Sequence, residues 1–400
     1  MTSKTTGATR IRFATLAIFA LGFRPFYLLA AIFAVVTLPV WMGFYFGIMP
    51  TGGYLAGIAW HSHEMVFGFV AAVIAGFLLT AVRNWTGQPT PVGGALAALV
   101  ALWLLGRVLM LTGPSMLAAV VDLTFLPALG LAIAIPIGRS RNTRNFKILI
   151  VLGGLAIVNL SFHLAQLGVL PVDIGRLSII LALDIIVILM AVIAGRIIPA
   201  FIKNAVPAAR PKNLFGTEAV ALGSLVLILA ADAGNYWFHI PSSIWFGLLV
   251  VAAIAHIIRL LLWDPLQTRR NALLWMLPVA YAWIPVSLML RALAALPMGL
   301  SVTVAFHALT IGAIASLMVT MMTRSALGHT GRKLKAGRVE ISAFVLLQVA
   351  TIVRIVPGIV WPQNYQAYVA GSATLWSFAF GIFVLGYWKV LTRPRIDGTE

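Results

Sequence analysis

The chain predicts an all-α, polytopic membrane bundle of twelve transmembrane helices, and three observations carry that class. The 400 residues are 61% hydrophobic and 10% charged, with a mean hydropathy of +1.02, whereas a soluble domain is about a quarter charged. The apolar runs are each about 20 residues, the length at which a helix crosses ~30 Å of hydrocarbon. Backbone groups in lipid must be satisfied inside helices or closed barrels, and these runs lack the alternation of a barrel strand.

In order, the spans fall roughly at 26–47, 61–82, 93–113, 115–137, 147–168, 174–195, 215–233, 242–262, 272–295, 300–323, 339–360 and 366–388. The first follows a basic arm and is long enough to remain as a span instead of being cleaved as a signal. Only Gly113 and Pro114 separate the third from the fourth. Short loops leave no separate soluble domain. The expected organisation is a basic cytoplasmic arm (1–25), a transmembrane domain (26–388) and a cytoplasmic tail (389–400).

Orientation follows from the basic residues. With the N-terminus in the cytoplasm, Lys4, Arg10, Arg12 and Arg24, then Arg83, then Arg139, Arg141, Arg144 and Lys147 fall on the inner side. So do Lys and Arg of every later even-numbered connection and of the tail. This is the positive-inside pattern of a multi-pass membrane protein with both termini cytoplasmic. It accounts for the net charge of +18 with a lipid bilayer as partner and no nucleic acid. Of 28 Lys and Arg residues, all but Arg107, Arg176, Arg291 and Arg354 obey it. Arg176 opens the sixth span near water. The other three lie in the outer halves of spans 3, 9 and 11, where a guanidinium should face the bundle and pair with an anion.

A faint repeat underlies the layout. Ala71–Asn84, Met190–Asn204 and Ser316–Gly328 each join small mid-membrane residues to a basic inner end. They recur about every 120 residues, which reads as three pseudo-repeats of four helices or as chance recurrence in a low-complexity membrane sequence.

Four of the seven histidines, His61, His63, His163 and His307, sort to one outer layer on three spans. Glu64, Asn159, Gln166, Asp122, Asp184, Asp232 and the three arginines lie in the outer half or near mid-depth. Imidazoles from facing helices are how a bundle holds haem or copper. Neighbouring arginines suit haem propionates. The competing reading is a water-filled cavity lined by Asp–Arg pairs and hydrogen-bonded histidines. In a regular helix His61 and His63 point about 200° apart, so both reach one metal only if that turn is irregular. His61 shares its face with the small Gly68, Ala72 and Ala75 and is the favoured inward ligand; Asn159, His163 and Gln166 form one stripe lining a second metal or ligand pocket. His239 is expected in solvent, His256 in the core and His329 in a basic cytoplasmic loop. Met318, Met321 and Met322 have the spacing of packing residues. The chain has no cysteine, which excludes disulfides, thiolate ligands and covalent haem attachment.

GFRPFYLLAAIFA, WHSHEMVFGFVAAVIAGFLLTAVRNWTGQ, AGRIIPAFI and FHALTIGAIASLMVTMMTRSALGHTGR, with the twelve-span layout, resemble the NnrS family of bacterial membrane proteins. The resemblance implies a haem- and copper-containing inner-membrane protein associated with denitrification and resistance to nitric oxide. A more distant architectural likeness is to the main subunits of haem–copper oxidases and nitric oxide reductases. These also have twelve helices and hold a low-spin haem between their second and tenth. The absence of an adjacent His-His pair on span 7 separates this chain from oxidase chemistry. The expectation is haem b held by His61 or His63 and by His307, with Arg107, Arg291 and Arg354 as propionate partners, His163 at a second metal or ligand pocket, and copper as a further cofactor that the resemblance implies. Nitric oxide or a related small molecule is the expected ligand, and no electron donor is identified. A redox enzyme acting on nitric oxide and a small-solute transporter without haem remain as alternatives.

Overall fold

The computed structural model describes residues 16–50, 53–141, 145–297 and 299–397; Lys4, Arg10, Arg12 and Arg144 of the basic inner set lie outside them. Among the described residues there is no strand, and twelve helices are long and apolar enough to cross a membrane. They are α1 (Phe23–Tyr45), α2 (Gly57–Thr86), α3 (Gly93–Thr112), α4 (Ser115–Ser140), α5 (Phe146–Gln166), α6 (Val172–Ala205), α7 (Phe215–Asn235), α8 (Ser242–Leu262), α9 (Ala272–Ala294), α10 (Val302–His329), α11 (Arg338–Val360) and α12 (Pro362–Thr392).

The helices match the expected spans within a few residues except at two ends. α6 continues to Ala205 and α10 to His329, because their final turns still bury Ile198, Pro199 and Ile202, and Ala326 and Leu327. α1 begins at Phe23, so the end of the expected arm is already helix, and Arg24 is buried there, donating to the Leu391 and Arg393 carbonyls of the last span and its tail. Prolines stand immediately before α4, α6 and α8 (Pro114, Pro171 and Pro241), fixing φ where a helix begins. Gly87, at φ 65°, closes α2 in the left-handed conformation that glycine adopts without strain.

Most successive helices pack on one another, and α12 lies along both α11 and α1, which closes the bundle. α2 and α10 sit innermost: 83% and 72% of their most apolar windows are buried, against 22–61% elsewhere. Loops joining odd to even helices mark the upper end below; the described chain ends mark the lower end.

The two central helices share a departure from α-geometry that the sequence does not signal. Glu64–Val70 of α2 and Ala308–Ala315 of α10 are π-helical, and each begins directly after a histidine, His63 or His307. Such insertions occur mostly at functional sites. Each contains a glycine against which a ring packs. A Cβ on Gly68 would meet Phe33 and the Arg107 guanidinium, and one on Gly312 would meet the Trp283 indole.

Candidate functional site

His61 and His63 lie on the regular first turns of α2, before the π segment, and their rings enter different neighbourhoods. His63 is fully buried and points into a polar cluster built by α2, α3, α4 and α5. Its Nδ1 is 3.0 Å from Glu64 Oε1, and its Nε2 is 3.2 Å from both Asn159 Oδ1 and Asp122 Oδ2. Arg107 bridges the two acids, donating to Glu64 Oε1 at 2.6 Å and to Asp122 Oδ1. Asn159 Nδ2 donates to Asp122 Oδ2 at 2.8 Å, which fixes the orientation of its amide. His163 Nε2 donates to that same oxygen at 3.0 Å, and its Nδ1 accepts from Tyr54 at 3.1 Å. Tyr54 lies in the loop before α2, where burial pushes its phenol up to about 12, so it keeps the proton it donates.

The cluster lacks one positive charge. Glu64 and Asp122 carry two negative charges and Arg107 one positive. Both ring nitrogens of His63 face acceptors only, and a neutral imidazole has a single N–H. Glu64 Oε2 is buried with no hydrogen-bond partner. A metal ion would restore the charge balance and take the place of the N–H that the second ring nitrogen of His63 lacks. His63, Asp122 and His163 each offer a ligand atom within 4.8 Å of the others, a nitrogen–oxygen donor set of the kind that holds copper or zinc. The residues therefore fit a metal.

A second neighbourhood lies between α2 and α10. His61 stacks on Trp41 of α1 at 4.3 Å between ring centroids, and its buried Nδ1 has no hydrogen-bond partner. His307 Nδ1 donates to the Thr303 carbonyl at 2.8 Å, which leaves the Nε2 lone pair available, the arrangement of a ligating imidazole. Both rings are half-buried, unlike His63 and His163. Arg354 of α11 borders this neighbourhood: the first turns of α10 pack on α11, and an aromatic chain runs from Trp41 through Tyr45 to Tyr365. The Arg354 guanidinium donates to Tyr365 at 3.0 Å and lies over the Tyr365 and Tyr368 rings. Among the described residues it pairs with no carboxylate.

The remaining predicted residues separate clearly. Arg291 pairs with Asp184 (3.3 Å) and Asp232 (2.6 Å) and packs on Trp245 and Phe306. Arg107 and Arg291 thus have anions from the chain itself, whereas Arg354 has tyrosines. Gln166 stands apart from the Asn159–His163 pair, beside Gly175. His239 is exposed. His256 is buried between Tyr281 (2.6 Å) and the Ala221 carbonyl (3.1 Å), next to the Arg259–Glu218 pair. His329 packs on Phe23. Tyr54 and Trp41 complete the two sites without any signal in their own sequence context; Glu64 was visible as the neighbour of His63.

Comparison with curated proteins finds no match. The family profile described as NnrS protein matches residues 17–395, nearly the whole chain. The chain belongs to the NnrS family.

Proposed function

We propose that the chain is a haem-binding protein of the bacterial inner membrane that acts in the nitric oxide response. His61 and His307 hold haem b near the periplasmic face, and both termini are cytoplasmic. One observation carries the reading. Two half-buried imidazoles, from the two central helices, each keep an unbonded ring nitrogen, and the arginine of the neighbouring helix, Arg354, has no carboxylate partner among the described residues. Haem, when bound, supplies a redox-active iron with affinity for nitric oxide. Arg354 is the propionate partner, since Arg107 and Arg291 are already neutralised by acids. Trp41 and the Thr303 carbonyl orient the two rings.

His63, Asp122 and His163 form a separate metal site, with copper as the family-implied ion. That cluster favours the second reading, a redox enzyme acting on nitric oxide, because such chemistry needs a metal besides haem. Adding nitric oxide to the reduced, purified protein distinguishes the two. A spectral shift without loss of nitric oxide fits sensing or handling, and consumption of nitric oxide fits the enzyme. No spectral response of any kind contradicts both.

A further inference from the structure

At the lower end, α1, α2, α6 and α10 surround a cavity of about 450 Å³ that no feature of the upper sites explains. Its rim carries Trp85 and Leu334, both exposed, and its polar lining is Thr80, Asn84, Ser325, His329 and Arg324. Tyr27, Phe77, Ile197 and Met321 also line a narrow fissure of about 70 Å³ that continues the cavity upward between α2, α6, α9 and α10. The fissure is walled by aliphatic and methionine side chains such as Val73, Ile193 and Leu317.

Arg324 is the unusual residue. Among the described residues its side chain forms no ion pair, and its Nε is buried with no hydrogen-bond partner. Its contacts are the Leu273 carbonyl at 3.2 Å and the face of Phe201 at 4.0 Å. A cation held among transmembrane helices without a counter-charge is costly, whereas Arg107, Arg259 and Arg291 all have carboxylates. No described residue supplies that partner, and an anion from outside the chain would fill the place. The cavity holds far more than a small inorganic ion, and ligand pockets of about 300–1,000 Å³ accept molecules of drug size. From Arg324 to Leu317 on α10, and from Trp85 to Val73 on α2, the lined path runs about 10–18 Å at 1.5 Å per residue. That is the depth of one leaflet of a ~30 Å hydrocarbon core.

We infer that this cavity binds an anionic phospholipid of the adjacent leaflet, its phosphate on Arg324 and one acyl chain in the fissure between α2, α6 and α10. Basic pockets between helices on the cytoplasmic side recognise such headgroups. The inference does not depend on haem or on nitric oxide.

The test uses the full chain, purified in detergent and stripped of lipid, with bound lipid counted by native mass spectrometry and affinity measured by titration. Phosphatidylglycerol should be retained and should raise the thermal midpoint, with phosphatidylcholine weaker and inorganic phosphate without effect. Arg324→Gln should weaken phosphatidylglycerol about tenfold, the loss of one charge-assisted contact, and Arg324→Lys should restore part of it. Ile193→Trp fills the fissure and leaves Arg324 in place, so it should abolish retention even if Arg324→Gln does not fold. Binding unchanged in Ile193→Trp overturns the inference. So does inorganic phosphate or dodecanoate binding as tightly as the phospholipid, which would mark a site for a soluble anion or a free fatty acid.

Discussion

His61 and His63 are separated by Ser62 alone, yet their rings serve different surroundings: His61 stacks on Trp41 at 4.3 Å, and His63 lies 5.1 Å from His163 in a closed polar cluster. One helical turn therefore joins the two candidate centres, and substitutions at its two histidines should have separable effects.

His61→Ala and His307→Ala should each abolish the visible haem absorbance of the purified protein while leaving any second metal in place. His63→Ala and His163→Ala should do the reverse, keeping the haem band and losing the metal in elemental analysis. Identical losses from all four variants would mean one shared site.

Asp122 accepts from Arg107, Asn159 and His163 and is 3% exposed. Removing one partner of a buried ion pair costs about 3–5 kcal/mol because the other charge is left unpaired. Asp122→Ala should therefore lower the unfolding midpoint strongly, and Arg107→Met should do so comparably. Near-native thermal stability of Asp122→Ala would show that the cluster is hydrated.

Gly68 lets the Arg107 guanidinium and the Phe33 ring approach the π segment. Gly68→Ala should destabilise by about 1–3 kcal/mol through overpacking and should also disturb metal binding at His63, since Arg107 would be displaced. Gly130→Ala, where an added Cβ meets nothing within 4 Å, is the control and should be close to neutral in the same thermal assay.

Tyr54 has a phenol whose folded pKa, about 12, is raised by burial above the ordinary 10. The folded state then holds the proton more tightly than the unfolded state. Its contribution to stability is complete below pH 10 and declines as pH rises toward 12. Tyr54→Phe should flatten that part of the stability profile and leave His163 Nδ1 without its donor. An unchanged alkaline profile would place the titration on another tyrosine.

The spans were legible because apolar runs of bilayer length have few alternative structures, and basic loops divide them. Burial of Arg107 and Arg291 against acids was legible for the same reason, since a guanidinium in lipid demands an anion. His61, His63, His163 and His307 could be placed by depth, but depth does not say which rings meet. The π segments after His63 and His307 left no trace in the sequence, because one extra residue in a turn changes register without changing composition. Arg354 meets tyrosines and, among the described residues, no anion, and Arg324, one of the inner-side cations, lies half-buried with no counter-charge among them. Both depend on contacts between distant helices, which no local pattern encodes.

The most direct measurement is the visible absorption spectrum of the reduced protein, purified from a haem-sufficient host, recorded beside a His61→Ala/His307→Ala double variant. A Soret band with a sharp α band in the parent, absent from a double variant that remains folded, is the predicted result. A folded parent without haem absorbance, or a band that survives in the double variant, would contradict it.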